Sequence, residues 1–231
     1  MRGGKRPSGG KRMVKAVVFD MDGVMYDTER LSHKSWLEVC REMGCTIKEE
    51  DLLSFRGRPR EMNEQQYAHF EGTNGVSYKV LRKGRDRRMQ QYFALHGIPV
   101  KPGLYELMDF LKKNGIRTGV ATGTARDIAE EYWEKTDVRQ YLDFTICGQE
   151  AGRGKPEPDV YLRAASMAGV KPEECMIIED SPNGIRAGFA AGCITVMVPD
   201  IDEPDEGLKR LCRYVCRSLK DIPEIIRELN S

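Results

Sequence analysis

A chain of 231 residues is longer than one average domain, and with 40% hydrophobic and 32% charged residues it belongs among well-folded globular chains, not disordered ones. A net charge of +1 excludes a global field that would draw it onto nucleic acid or an anionic membrane, so neither is expected as a partner. No apolar run approaches the roughly 20 residues that span a bilayer, and no apolar stretch precedes the first strand as a signal peptide would; a cytoplasmic address follows by default.

Residues 1–12, MRGGKRPSGGKR, are basic and lack apolar periodicity, which predicts a disordered tail. From Val14 the run VKAVVFD is short, apolar and β-branched, the pattern of a strand buried on both faces. Similar runs recur as GIRTGVAT (115–122), DFTIC (143–147), CMIIED (175–180) and CITVMV (193–198), each followed by a helical stretch. That alternation predicts an α/β fold, a Rossmann-like parallel sheet. Between the first and second runs, the stretches 28–43, 60–70 and 76–96 are charged and amphipathic with no strand-like run. The expected organisation is a core of residues 13–27 and 98–231 with a helical cap, 28–97, inserted. Asp27 and Thr28 offer N-cap chemistry where the cap begins, and Gly97, Pro99, Pro102 and Gly103 punctuate its return.

The seven cysteines contain no Cys-x-x-Cys pair, so reduced, buried thiols are expected. Cys212 and Cys216 have the spacing of one helix face. Trp36 and Trp133 are core candidates, and His33, His69 and His96 lack metal-ligand spacing.

In open parallel sheets the functional crevice lies outside the carboxyl ends of the strands, so the polar residues there belong together. Four segments are informative: Asp20-Met21-Asp22-Gly23, Thr122-Gly123-Thr124, Gly154-Lys155-Pro156 and Glu179-Asp180-Ser181. The carboxylates offer hard oxygen ligands for Mg2+, and the cation screens a phosphate from the acids around it. Ionised Asp20 could then attack phosphorus in line. Asp22 is placed to protonate the leaving oxygen and later take a proton from the incoming water. Lys155 supplies positive charge to the phosphoryl oxygens, Thr122 a neutral donor, and Gly23 a tight exit from the strand. Two other phosphate or metal patterns fail. The first Gly of DxDG is fourth where a calcium loop needs it sixth, and GRGKP lacks the Ser or Thr that closes a P-loop.

The ordered set VVFDMDGVMYD, VATGT, GKPEPD and IIEDSPNG resembles the four motifs of the haloacid dehalogenase superfamily. The helical insertion after the first strand resembles that of its β-phosphoglucomutase-like branch. The resemblance implies that Asp20 is nucleophile and metal ligand. It also implies that Asp22 is general acid/base and gives a backbone carbonyl to Mg2+, that Glu179 and Asp180 complete the metal shell, and that Thr122 and Lys155 hold the phosphoryl group. Gly23, Gly123, Thr124 and Arg126, with Arg60 and Lys83 of the cap, would meet the substrate. The rest of the basic cluster, Arg82, Arg85, Arg87 and Arg88, is expected on a solvated face.

Asp at 22 disfavours the dehalogenase and phosphonatase branches. A cap-linker histidine of β-phosphoglucomutase stands four residues after the Asp-Thr pair, where this chain has Ser32, with His33 one step on. The expected activity is therefore hydrolysis of a small phosphorylated metabolite, a sugar phosphate in the first instance. A phosphomutase is the alternative, a non-catalytic binding module a remote one. Nothing predicts an oligomer, and a monomer is plausible.

Overall fold

All five apolar runs become strands of one parallel sheet; both of its faces are covered, so the strands are mostly apolar whichever way a residue points, with buried Thr118 and Thr195 as exceptions. The computed structural model describes residues 13–55, 60–201 and 203–231. The strands are β1 (Ala16–Phe19), β2 (Arg117–Thr122), β3 (Phe144–Cys147), β4 (Cys175–Glu179) and β5 (Ile194–Met197). A sixth, β6 (Tyr214–Val215), was not expected from the sequence. They lie in the order β3-β2-β1-β4-β5-β6.

The period of two is visible within β1: Val17 and Phe19 enter one buried cluster, Ala16 and Val18 the other. On the first side the cluster includes residues of α5 (Leu104–Lys113), α6 (Arg126–Lys135) and α10 (Ile222–Asn230). On the second it includes residues of α7 (Asp159–Ala168), α8 (Pro182–Ala190) and the short α9 (Glu206–Lys209). Trp133 is fully buried in the first cluster.

Between β1 and α5 the described residues are helical or irregular: α1 (Thr28–Glu42), α2 (Glu49–Leu53), α3 (Arg60–Tyr67) and α4 (Tyr78–His96). They share an aromatic cluster of their own, with Trp36, Phe55, Tyr67 and Tyr78 buried together. The far half of α4 leans on the sheet domain instead, where the Phe93 ring meets Tyr132 edge-on at 5.4 Å. The two chain crossings are tied to each other, Asp27 N–H donating to Pro99 O and Lys101 N–H to Met25 O, both at 2.9 Å.

Two local expectations are corrected. Asp27 occupies the N-cap position of α1, but its side chain makes no capping hydrogen bond. It turns to Lys101 at 3.3 Å. Lys101 also reaches the wholly buried Asp200 carboxylate at 2.6 Å, and Arg30 reaches the same oxygen at 2.9 Å. One acid on the core thus gathers a cation from each crossing. Cys212 and Cys216 do not share a helix face, since β6 runs between them; all seven cysteines are free thiols. The 1–12 tail and the Arg60 side chain lie outside the described residues. Among the described residues no helix is long and apolar enough to cross a membrane.

Candidate active site

Adjacent parallel strands end at the same level, so β2, β1 and β4 deliver Thr122, Asp20 and Glu179 to one rim. The loop leading to α7 brings Lys155 across it. The Lys155 ammonium has three donors and uses all of them: one to Asp20 Oδ1, one to Glu179 Oε1 at 2.6 Å and one to the Ala121 carbonyl at 3.1 Å. Burial opposes the charge on Lys155, yet the Asp20 and Glu179 carboxylates outweigh it and hold the group well above the ordinary lysine range. Glu179 is wholly buried and accepts four hydrogen bonds. Lys155 and the Tyr161 hydroxyl, at 2.5 Å, share Oε1. Ser181 gives its hydroxyl at 3.0 Å and its N–H at 3.3 Å to Oε2.

Asp22 faces different partners. Thr28 Oγ1 donates to its Oδ1 at 2.5 Å and Thr124 Oγ1 to its Oδ2 at 2.6 Å. Thr122 supports this second contact, its hydroxyl accepting from the Thr124 N–H at 3.0 Å. Two aspartates two residues apart are thus separated by environment. Asp20 lies against a lysine in a buried acidic cluster, Asp22 between two threonine hydroxyls.

Two glycines are required by these contacts. Gly23 has φ +84°, and a Cβ there would stand 2.3 Å from Asp180 Oδ2. A Cβ on Gly184 would stand 1.8 Å from Glu179 Oε1. Because Glu179 is held by four donors in a closed space, it cannot swing aside cheaply. Gly184→Ala is expected to cost about 1–3 kcal/mol in thermal melts and to weaken divalent-cation binding; a variant with native melting and native cation affinity would contradict this placement.

Burial pushes the Asp20 carboxyl up from its ordinary 3.8 to about 8, against the pull of Lys155. A carboxyl raised in the folded state contributes stability below its unfolded value and loses it as pH rises through the folded one. Metal-free Asp20→Asn, whose amide does not ionise, should therefore melt above the unaltered protein at pH near 8 and level with it near pH 3.8. Melting both in chelator across that window checks the sign; a gap independent of pH would contradict it.

Residues 14–192 match the family model for haloacid dehalogenase-like hydrolases. The chain belongs to that family. This hydrolase is 32% identical to the validoxylamine A 7'-phosphate phosphatase of Streptomyces hygroscopicus subsp. limoneus over 80% of its own length and 85% of the relative's. It is 27% identical to a phosphorylated carbohydrates phosphatase of Thermotoga maritima, over 78% of this chain and 82% of that one. The crystal structure of a candidate β-phosphoglucomutase from Thermotoga maritima superposes with a TM-score of 0.75 at 26% identity, covering 93% of this chain and 99% of that one.

Haloacid dehalogenase-like enzymes generally use a divalent metal, and the donor set here fits one: Asp20, Glu179 and Asp180 each place a carboxylate oxygen within 4.8 Å of the others. The side chain of Asp22 is not in that group.

The substrate-side residues fare unevenly. Thr124 and Thr122 join the site through Asp22. Gly123 has open space beside it. Arg126 is engaged elsewhere, with a two-pronged pair to Glu150 at 2.6 and 2.7 Å and a third contact to Glu130 at 2.8 Å. Lys83 is exposed on α4.

On the buried stripe of that helix, between Leu81 and Met89, lies Arg85. Its guanidinium sits 5.2 Å from the centre of the Trp36 ring, and its Nε is buried without a partner. Arg85 is therefore not on the solvated face expected of the basic cluster; its place in the 78, 81, 85, 89 series is the signal in the sequence. The sequence reads Thr28 as a capping residue and carries no signal that marks Tyr161.

Proposed function

We propose that this chain is a Mg2+-dependent phosphatase of small phosphorylated metabolites, sugar phosphates in the first instance, working through an aspartyl phosphate on Asp20. The observation that carries the reading is the division of labour between the two aspartates. Asp20 lies within the oxygen cluster of Glu179 and Asp180 with Lys155 beside it, while Asp22 stands outside that cluster between Thr28 and Thr124.

Asp20, Glu179, Asp180 and the Asp22 main-chain carbonyl would hold Mg2+, which supplies charge neutralisation to the phosphoryl oxygens. In the first half-reaction an Asp20 carboxylate oxygen forms a bond to phosphorus as the ester P–O bond breaks, and Asp22 gives its proton to the departing oxygen. In the second, water attacks phosphorus, Asp22 takes the proton back, and the Asp20 acyl–phosphate P–O bond breaks to release inorganic phosphate. Lys155 holds the phosphoryl oxygens in both. Thr122 adds a neutral donor at the same place.

The residues 28–97 act as a cap over the substrate, hinged at the paired crossings. Because Thr28 is the first residue of α1, cap position and the orientation of the proton carrier are linked. Among the described residues, exposed Lys83 and the more enclosed Arg85 are cap cations for the non-reacting part of the substrate, and the family resemblance adds Arg60. The sugar phosphate class is supported by the name of one relative, a phosphorylated carbohydrates phosphatase, and the phosphatase reading by both.

A phosphomutase would need a second acid/base in the cap linker. Ser32 occupies that place, and His33 is turned into a 2.8 Å pair with Glu49 of α2. A panel of metabolite phosphates, assayed with Mg2+ and with chelator, tests the reading: metal-dependent release of inorganic phosphate from a subset of sugar phosphates is expected. Conversion of β-glucose 1-phosphate to glucose 6-phosphate without free phosphate would favour the mutase, and metal-independent release would overturn the mechanism.

A further inference from the structure

Beneath the carboxylates lies a residue outside all four motifs. Tyr161, on α7, is completely buried. Its hydroxyl donates to Glu179 Oε1 at 2.5 Å, and the Lys155 ammonium stands 5.2 Å from the centre of its ring. Lys155 itself donates to the same Glu179 oxygen at 2.6 Å. The three groups form a closed triangle with one edge of each kind: a hydrogen bond, an ion pair and a cation over a ring face.

Each edge limits a different freedom. Ser181 holds Glu179 Oε2, so a donor on Oε1 fixes how the carboxylate plane is turned. Lys155 is one such donor, but it is long and is also drawn to Asp20. Tyr161 is short, rigid and anchored in a packed helix, and being buried it cannot be replaced by water. Its ring beneath Lys155 then limits how far the ammonium can move.

We infer that Tyr161 is the positioning residue of this site: its hydroxyl orients the Glu179 carboxylate toward a divalent cation, and its ring face seats the Lys155 ammonium for the phosphoryl group. The inference rests on the phosphatase reading above.

Two substitutions separate the two roles. Tyr161→Phe keeps the ring and removes the hydroxyl; Tyr161→Leu removes both. Mg2+ binding to the full chain is measured by calorimetric titration without substrate, alongside steady-state hydrolysis of an aryl phosphate. Tyr161→Phe should bind Mg2+ about 10–100-fold more weakly, as for partners that orient metal ligands. It should recover its kcat at saturating Mg2+ with KM for the ester unchanged. Tyr161→Leu should show the same loss of cation affinity together with a KM raised by about tenfold, which saturating Mg2+ does not restore.

A role in packing alone would lower the melting temperature of Tyr161→Phe and leave its Mg2+ affinity native, and that result overturns the inference. So does a Tyr161→Leu variant whose KM is native. Failure of the unsubstituted protein to bind Mg2+ or release phosphate would instead overturn the underlying phosphatase reading, so the two failures are distinguishable.

Discussion

Asp20→Asn should fold and lose phosphate release by on the order of 10³-fold or more, as removal of a covalent nucleophile does. The substitution is nearly isosteric, and the amide oxygen can still accept from Lys155, so the packing around β1 is preserved. An amide cannot form the acyl phosphate. It also takes one anionic ligand from the oxygen cluster that Asp20 forms with Glu179 and Asp180, so Mg2+ affinity should fall as well. Steady-state phosphate release at saturating Mg2+ separates the two effects. Activity within tenfold of the unsubstituted protein would remove Asp20 from the chemistry.

Lys155→Met should damage both rate and fold. The ammonium serves two carboxylates, Asp20 and Glu179, in a place where its own side chain is only 14% exposed. Without it those acids face each other across a buried space. Breaking a buried pair by removing one partner costs about 3–5 kcal/mol, which corresponds to a fall in melting temperature of about 10 °C for a chain of this size. Loss of the charge from the phosphoryl oxygens should lower kcat by on the order of 10²–10³-fold. Added Mg2+ should recover part of the melting temperature by mass action while leaving kcat low. A Lys155→Met protein that melts normally without metal would mean the three groups are not coupled as their geometry suggests.

Much of this was legible because the sheet is parallel and buried on both faces. A strand such as AVVF has no alternative but to be apolar throughout, and the polar residue that follows it marks the rim where chemistry is possible. The ends of β1, β2 and β4 and the loop carrying Lys155 therefore group together in the sequence alone.

β6 escaped notice for the opposite reason. Tyr214 and Val215 form an edge only two residues long and partly open to solvent, without an apolar run. The direction of a side chain was also hidden. Lys83 and Arg85 are indistinguishable as basic residues of one helix, yet one is exposed and the other lies over Trp36. Arg126 looked free for a substrate until Glu150 and Glu130 were seen to hold it. Thr28 at a helix start reads as a cap because Thr is one of the favoured N-cap types, and only tertiary structure shows its hydroxyl turned to Asp22. Tyr161 reads as a core aromatic on an amphipathic helix, which it is; that its hydroxyl ends on Glu179 depends on how α7 lies across β1 and β2 and reaches the end of β4.

The account stands on Asp20 forming a covalent bond to phosphorus. Mixing the protein with a hydrolysable phosphate ester and Mg2+, quenching in acid within a single turnover and mapping peptides by mass spectrometry reads that bond directly. The expected result is one added phosphoryl group on the peptide carrying Asp20, absent in Asp20→Asn and accumulating in Asp22→Asn when a good leaving group bypasses the first proton transfer. Turnover with no phosphoryl group on that peptide, or with the group on another residue, would contradict it.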